Sequence, residues 1–276
     1  MPSDDLAALF ARIGEPAEGG ASLADIERLR RAFGLAVPYE NLSVLSHGHV
    51  PIAREAVLAK LADPGRGGYC FELNLAFGEM LRARGLSPRM HLGRVWLRAP
   101  AKVPPRNHGT NVVELEGRSH IADVGFGGRA PRCLVPLHDL GAEIDDGDAH
   151  GQPVRVVEDA AFGVRIQRRV DGEWADQFSL ERTPAHPSDI AVANHYQSTS
   201  PDSAFRRHLF AGRFTAEGRD GLFDTRLSRR RGAEVRTREL GSVAEMVEVM
   251  EGVFGLDTRD HRPALERVMR RREAEG

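Results

Sequence analysis

The sequence predicts an α+β fold in three consecutive parts, and three observations carry that prediction. Apolar residues recur at helical spacing up to Gly85. Short alternating stretches separated by turn residues replace them after Pro88. Helix and strand signals then mix after Pro184. The parts are assigned to residues 1–86, a helical bundle; 87–187, an antiparallel sheet or small barrel; and 188–276, a mixed α/β region.

The helices follow from their punctuation. Ser3 is placed to cap a first helix carrying Leu6, Leu9, Phe10 and Ile13, which Gly14 ends. Ser22 opens a second, with Leu23, Ile26, Leu29 and Phe33 on one face and Gly34 as its predicted stop. No helix continues through Pro38. A third covers Arg54–Ala62, before the Pro64-Gly65 break. The fourth begins at Cys70, where Asn74, Phe77 and Leu81 share a helical face and Gly85 is the stop.

Strands are predicted over 90–97, 110–115, 119–124, 154–157, 162–170 and 174–180, with a proline-rich loop after the first and an acidic loop over 139–151. Glu116-Gly117 is the turn of a hairpin. In the last part a helix is predicted over 188–200 and strands over 208–214, 221–227 and 233–240. One helix starting at Ser242 and another carrying Leu265, Val268 and Met269 close the chain.

Composition narrows the function classes. With 28% charged and 41% apolar residues, the 276-residue chain is an ordinary soluble one. A net charge of −2 gives no basis for a nucleic-acid or membrane partner. Two cysteines are too few for a disulfide framework or a four-cysteine zinc site, and reduced thiols in a cytoplasmic protein are expected. The acidic start lacks the basic, apolar pattern of a signal peptide. No run approaches the length of a membrane span, and no His, Cys or carboxylate pair sits at a metal-liganding interval on a predicted helix.

Chemistry concentrates around Arg66-Gly67-Gly68-Tyr69-Cys70-Phe71-Glu72-Leu73-Asn74. A helix N-terminus favours an anion, and the thiolate is the nucleophilic form of cysteine. A small buried residue at a helix start is the alternative for Cys70. A thiolate needs a base, and the base an orienting group. If Glu116-Gly117 is a two-residue turn, His108 and Thr110 share a face with Asp123, and His108 and Asp123 become diagonal neighbours. One more turn residue would reverse that parity. The alternatives are a solvent-facing ring, as for any of the eleven histidines, and a turn-capping Asp123. The Gly125-Phe126-Gly127-Gly128 run reads as backbone kept bare for a ligand, and Cys133 as a structural thiol.

These stretches resemble the motifs of the arylamine N-acetyltransferase family over essentially the full length. Residues 66–74 resemble its active-site signature. Asp123-Val124-Gly125-Phe126-Gly127-Gly128 resembles its second hallmark, with His108 where the family's histidine falls. Val37-Pro38-Tyr39-Glu40-Asn41-Leu42 resembles an early motif, and residues 194–205 a late one. The resemblance implies a helical bundle, a β-barrel and an α/β lid with a cysteine-protease-like Cys-His-Asp arrangement. It implies acetyl-CoA as co-substrate with no metal, an arylamine or arylhydrazine acceptor, Cys70 as acyl carrier with His108 and Asp123 as partners, and a supporting Arg66–Glu40 ion pair.

For CoA the candidates are Gly125, Gly127, Gly128, Tyr196 and Ser203; Arg229-Arg230-Arg231 either meets phosphates or is a solvated charged face. Two departures stand out. Gly109-Thr110-Asn111 replaces the basic and aliphatic run of many relatives, which is expected to reshape the acceptor wall, and the acidic stretch 141–148 differs. Two other readings stay open: a macrolactam-forming amide synthase of the same family, and a Cys-His-Asp thiol hydrolase.

Overall fold

A computed structural model describes residues 3–97, 100–146 and 152–275. Helix α1 (Asp4–Ile13) ends where Gly14 takes a left-handed φ of 72° and its N–H caps the last turn. Helix α2 (Leu23–Ala36) starts on a reciprocal Ser22–Asp25 cap. It runs past Gly34, the expected stop, to Ala36, and is ended by the Val37-Pro38 step. Gly34 serves packing instead: a Cβ there would lie 3.2 Å from the Phe214 ring.

Strand β1 (Tyr39–Glu40) and helix α3 (Leu42–His47) follow, both too short to have been predicted. Helices α4 (Arg54–Ala62) and α5 (Cys70–Ala83) lie where the apolar spacing puts them. Leu9, Phe10, Leu29, Phe33, Leu58, Phe77 and Leu81 form the shared core of α1, α2, α4 and α5.

That core continues onto the hairpin of β3 (Arg106–Leu115) and β4 (Arg118–Ala122), which follows β2 (Arg89–Val95). With β5 (Val135–Pro136), β6 (Val154–Asp159), β7 (Gly163–Val170) and β8 (Glu173–Leu180), these strands make an antiparallel sheet of order β5-β4-β3-β2-β8-β7-β6. The sheet curls until residues after β5 meet β6: Gly141 N–H donates to Val156 O at 2.7 Å, and Ile144 exchanges bonds with Val154 at 2.8 and 3.0 Å. The stretch expected as an acidic loop therefore helps to close the barrel, and Asp146 within it pairs with the buried Arg168; residues 147–151 lie outside the described residues.

Helices α6 (Pro187–Thr199) and α7 (Ala204–Arg207) lead to β9 (Phe210–Thr215), β10 (Gly218–Phe223), β11 (Arg226–Arg231) and β12 (Glu234–Glu239). The single strand expected over 221–227 is instead a hairpin turn between β10 and β11, with Asp224 at φ 51°. These strands form a second antiparallel sheet whose first member is β1, paired Tyr39↔Gly212 and Glu40↔Ala211. Helices α8 (Val243–Gly252) and α9 (Arg262–Glu275) bury Met246, Met250, Leu265 and Val268 against it. No helix among the described residues is long and apolar enough to cross a membrane.

Candidate active site

The lead-in to α5 requires its glycines. Gly68 pairs with β1 through Glu40 N–H to Gly68 O at 2.9 Å and Gly68 N–H to Pro38 O at 3.3 Å. A Cβ on Gly67 would lie 2.3 Å from Pro38 O, and one on Gly68 2.9 Å from Glu72 Cβ. Glu72 reaches back to accept Tyr69 N–H at 3.1 Å, which starts the helix at Cys70. Cys70, 3% exposed, lies beside first-turn N–H groups that have no partner among the described residues, and its sulfur is 3.7 Å from Asn107 O.

The hairpin keeps the predicted parity. Glu116 and Gly117 both adopt positive φ, 52° and 74°, and Leu115 pairs with Arg118. His108 Nε2 then donates to Asp123 Oδ2 at 2.7 Å, both residues buried, leaving Nδ1 for the thiol side. Phe126 and Phe178 hold the imidazole edge-on at centroid distances of 4.9 and 4.8 Å. Asp123 Oδ1 accepts from Asn74 Nδ2 at 3.0 Å and Gly125 N–H at 2.7 Å.

Asn74 also donates to Gly109 O at 2.8 Å and accepts Val124 N–H at 3.1 Å, so one side chain on α5 locks β3 and the Asp123 loop to the helix carrying Cys70. The sequence assigns Asn74 no role. The available signal was an amide one turn after Cys70 on an otherwise apolar stripe.

Burial alone would lower the His108 pKa. The Asp123 charge and hydrogen bond, with a further contribution from Cys70, outweigh it and push the value up to about 10. For Asp123 burial acts upward, but His108, Asn74 and Gly125 hold the carboxyl below its ordinary value of 3.8.

The pair therefore stabilises the fold fully below the ordinary histidine value of 6.5, and this is lost as pH rises through about 10. The Asp123 contribution is present above 3.8 and lost as pH falls through its depressed value. In urea titrations the stability difference between wild type and His108→Gln should be largest between about pH 4 and 6.5 and shrink toward pH 10, by at most about 1.4 kcal/mol per pH unit. A difference that widened above pH 7 would contradict the charged pair.

Beneath Cys70 lies a second polar cluster. Lys60 Nζ contacts Glu72 Oε1 at 2.8 Å and Glu40 Oε1 at 3.4 Å, with both carboxylates buried. Burial is opposed by Lys60 at both acids, leaving Glu40 lowered and Glu72, beside a second carboxylate, raised. The expected Arg66–Glu40 ion pair is corrected: Lys60 makes the contact, and Arg66 acts on Glu40 only as a weaker, more distant charge. Lys60→Met should cost about 3–5 kcal/mol in urea unfolding, because two buried carboxylates lose their counter-charge. A loss below about 1 kcal/mol would show that they do not depend on it.

The remaining candidates separate. A Cβ on Gly125 would lie 2.8 Å from Cys70 Cα, so its bare backbone admits the nucleophile's own helix. Gly127 has φ 62° and lies under the Tyr39 ring; a Cβ on Gly128 would come no nearer than 3.9 Å to Arg219 and Asp220, while one on Gly212 would lie 3.0 Å from Gly128 N. Tyr196 is exposed on α6. Ser203 is buried, its hydroxyl donating to Gln197 O at 2.7 Å and accepting from Phe205 N–H.

Gln197 in turn accepts from Asn107 Nδ2 at 3.1 Å, beside His108, and Tyr69 donates its hydroxyl to Asn194. The late motif thus fastens α6 to the start of α5 and to β3 beside His108. Gly109 and Asn111, expected in an acceptor wall, lie between β3 and α5: a Gly109 Cβ would meet Phe71 at 2.9 Å, and Asn111 donates to Asn74 O at 2.7 Å. Cys133 is a free thiol raised by burial to about 12. Of the arginine run, Arg231 pairs with Asp220 at 2.8 Å.

A thiol, an imidazole and a carboxylate in this order suit nucleophilic acyl transfer. A family model described as N-acetyltransferase matches residues 22–262. An arylamine N-acetyltransferase / N-hydroxyarylamine O-acetyltransferase of Salmonella typhimurium is 33% identical over 257 residues, 92% of this chain and 90% of that protein. The Escherichia coli arylamine N-acetyltransferase is 32% identical, covering 91% and 88%. Among solved structures, the Salmonella typhimurium arylamine N-acetyltransferase has a TM-score of 0.88 at 29% identity, covering 98% of this chain and 99% of that one. That of Mycobacterium marinum in complex with CoA has a TM-score of 0.86 at 29% identity, covering 96% and 98%. Alike in sequence and in fold along nearly its whole length, the chain belongs to the arylamine N-acetyltransferase family, a family of acyltransferase enzymes.

Proposed function

We propose that this protein carries an acetyl group from acetyl-CoA to the nitrogen of an arylamine or arylhydrazine through a thioester on Cys70. The observation that carries the reading is the His108–Asp123 bond of 2.7 Å beside Cys70, at a helix start whose first N–H groups are free. His108 is the protonated partner at neutral pH. The Cys70 thiolate attacks the thioester carbonyl; a C–S bond forms and the carbonyl pair moves onto oxygen. First-turn N–H groups of α5 hold that oxyanion. Collapse breaks the bond to CoA, whose sulfur takes the proton from His108. A neutral aryl amine then attacks the acyl carbon, His108 accepts the nitrogen's proton, and Cys70 leaves as thiolate. Kinetics are ping-pong.

Gly127 and Gly128, where a side chain on Gly128 would meet nothing nearer than 3.9 Å, form with the exposed Tyr196 the proposed CoA-facing surface; Gly125 and Ser203 act from behind it. Both cysteines are free thiols, which suits a reducing cytoplasm.

Intact mass tests the reading. Acetyl-CoA should add one acetyl group, and an arylhydrazine should remove it with formation of the acetyl hydrazide. No adduct on folded protein excludes acetyl-CoA as donor, and an adduct lost equally fast without acceptor indicates a hydrolase.

A further inference from the structure

We propose that the hydroxyl of Tyr39 is a catalytic hydrogen-bond donor, holding the acyl oxygen as negative charge develops on it during attack at Cys70. The proposal rests on the acyl-transfer reading above and adds a residue to it.

Tyr39 stands between the two loops that deliver the triad. Its backbone bridges to Gly68, two residues before Cys70. Its ring lies against Gly127, where a Cβ would be 3.3 Å from Tyr39 Cδ1, on the loop that also brings Gly125 against Cys70. Phe205 meets the ring edge-on at 6.4 Å. The ring is thus fixed on three sides. Two tyrosines flank the site, and they differ. Tyr69 is fully buried and donates its hydroxyl to Asn194. Tyr39 is half-buried, and its hydroxyl, which reaches solvent, has no protein hydrogen-bond partner among the described residues. The ring packs on the cluster that holds Cys70, and a phenol there with no protein partner is available to a ligand.

The electrostatics name the ligand atom. Burial first, then the charges of Cys70 and Asp123, raise Tyr39 well above its ordinary pKa, so it stays protonated and serves as a donor. His108 must keep its proton for the departing sulfur, so it cannot also neutralise the oxygen. First-turn N–H groups and one phenol O–H are then the donors left where charge passes from sulfur to oxygen.

Tyr39→Phe is the test, because the ring contacts with Gly127 and Phe205 remain. Three reactions of Cys70 are timed in single turnover, with thermal midpoints compared as a check on folding. Acylation by acetyl-CoA and by 4-nitrophenyl acetate, an activated ester needing no CoA site, should each slow by about 10²-fold in the variant, the loss typical of one oxyanion donor. Alkylation by iodoacetamide forms no oxyanion and should stay within about twofold of wild type. Acylation by the ester within about threefold of wild type overturns the proposal. So does a parallel fall in alkylation, which would place Tyr39 on the thiol rather than on the oxygen. If wild type reacts with the ester but not with acetyl-CoA, the donor assignment above fails while the ester still decides the role of Tyr39. If wild type reacts with neither, both fall.

Discussion

Cys70→Ser should leave the protein folded, give no acetyl adduct, and lower turnover by on the order of 10⁶-fold, the scale seen when a covalent nucleophile is removed from a working triad. The substitution is small where it matters for folding. Serine is well tolerated in a first helical turn, and its hydroxyl can donate to Asn107 O, which lies 3.7 Å from the native sulfur. Stability should change by no more than about 1 kcal/mol. The chemistry changes far more. A hydroxyl is not ionised beside an imidazolium, so His108, raised to about 10, is already protonated and cannot act as the base a serine needs. Thiolate and imidazolium work only as a pair, and an alkoxide is not a substitute. Turnover retained in Cys70→Ser would exclude this nucleophile; loss of turnover together with loss of the folded state would leave a structural role as the reading.

The parts of the fold that were legible are those where local signals agree. The α5 helix shows because glycines bracket an apolar period, and the β3–β4 hairpin because Glu116-Gly117 suits a two-residue turn, whose length then sets the parity. The α+β class and the change from helices to strands follow from that punctuation and stand; the closed barrel and the α/β lid were implied by the resemblance. Where the signal failed, a residue performed a task that the simplest rule assigns to another. Asp224 takes the left-handed turn between β10 and β11 without a glycine or proline, so two strands read as one. Gly34 looked like a helix stop but makes room for Phe214. Strand β1 is two residues long and shows no period at all, yet it joins the early motif to the last sheet.

The site was legible in its chemistry rather than in its assembly. Parity placed His108 and Asp123 on one face; nothing local placed α5 across β3, and that expectation came from the resemblance. The reason is that the link is polar and long-range. Asn74, Asn111, Gln197 and Asn194 join α5, β3 and α6 across separations no periodicity reports. The counter-ion of Glu40 was missed for a related reason: Lys60 lies in a helix whose pattern gives a lysine no sign of facing inward.

Asp123→Asn should cost about 10³- to 10⁴-fold in kcat/KM with little change in fold. In the native site Asp123 Oδ1 accepts two bonds, from Asn74 and from Gly125 N–H, while Oδ2 accepts from His108 Nε2. An asparagine has one acceptor oxygen. Satisfying the two donors places that oxygen at Oδ1 and turns the NH₂ toward His108. Nε2 can meet an N–H donor only as a bare lone pair, which moves the ring proton to Nδ1, on the side of the thiol. The imidazole then has no acceptor facing Cys70 or an incoming amine. The charge that raises His108 is lost as well, so the ring favours its neutral form at pH 7. Alkylation of Cys70 by iodoacetamide at neutral pH should slow in step with acylation, because the ionised pair is what both reactions use. This separates Asp123→Asn from Tyr39→Phe, which is expected to slow acylation alone. An Asp123→Asn protein that kept wild-type acylation while unfolding at the same urea concentration would show that the carboxylate does not set the imidazole's proton, and the thiol–imidazole–carboxylate chain would lose its third member.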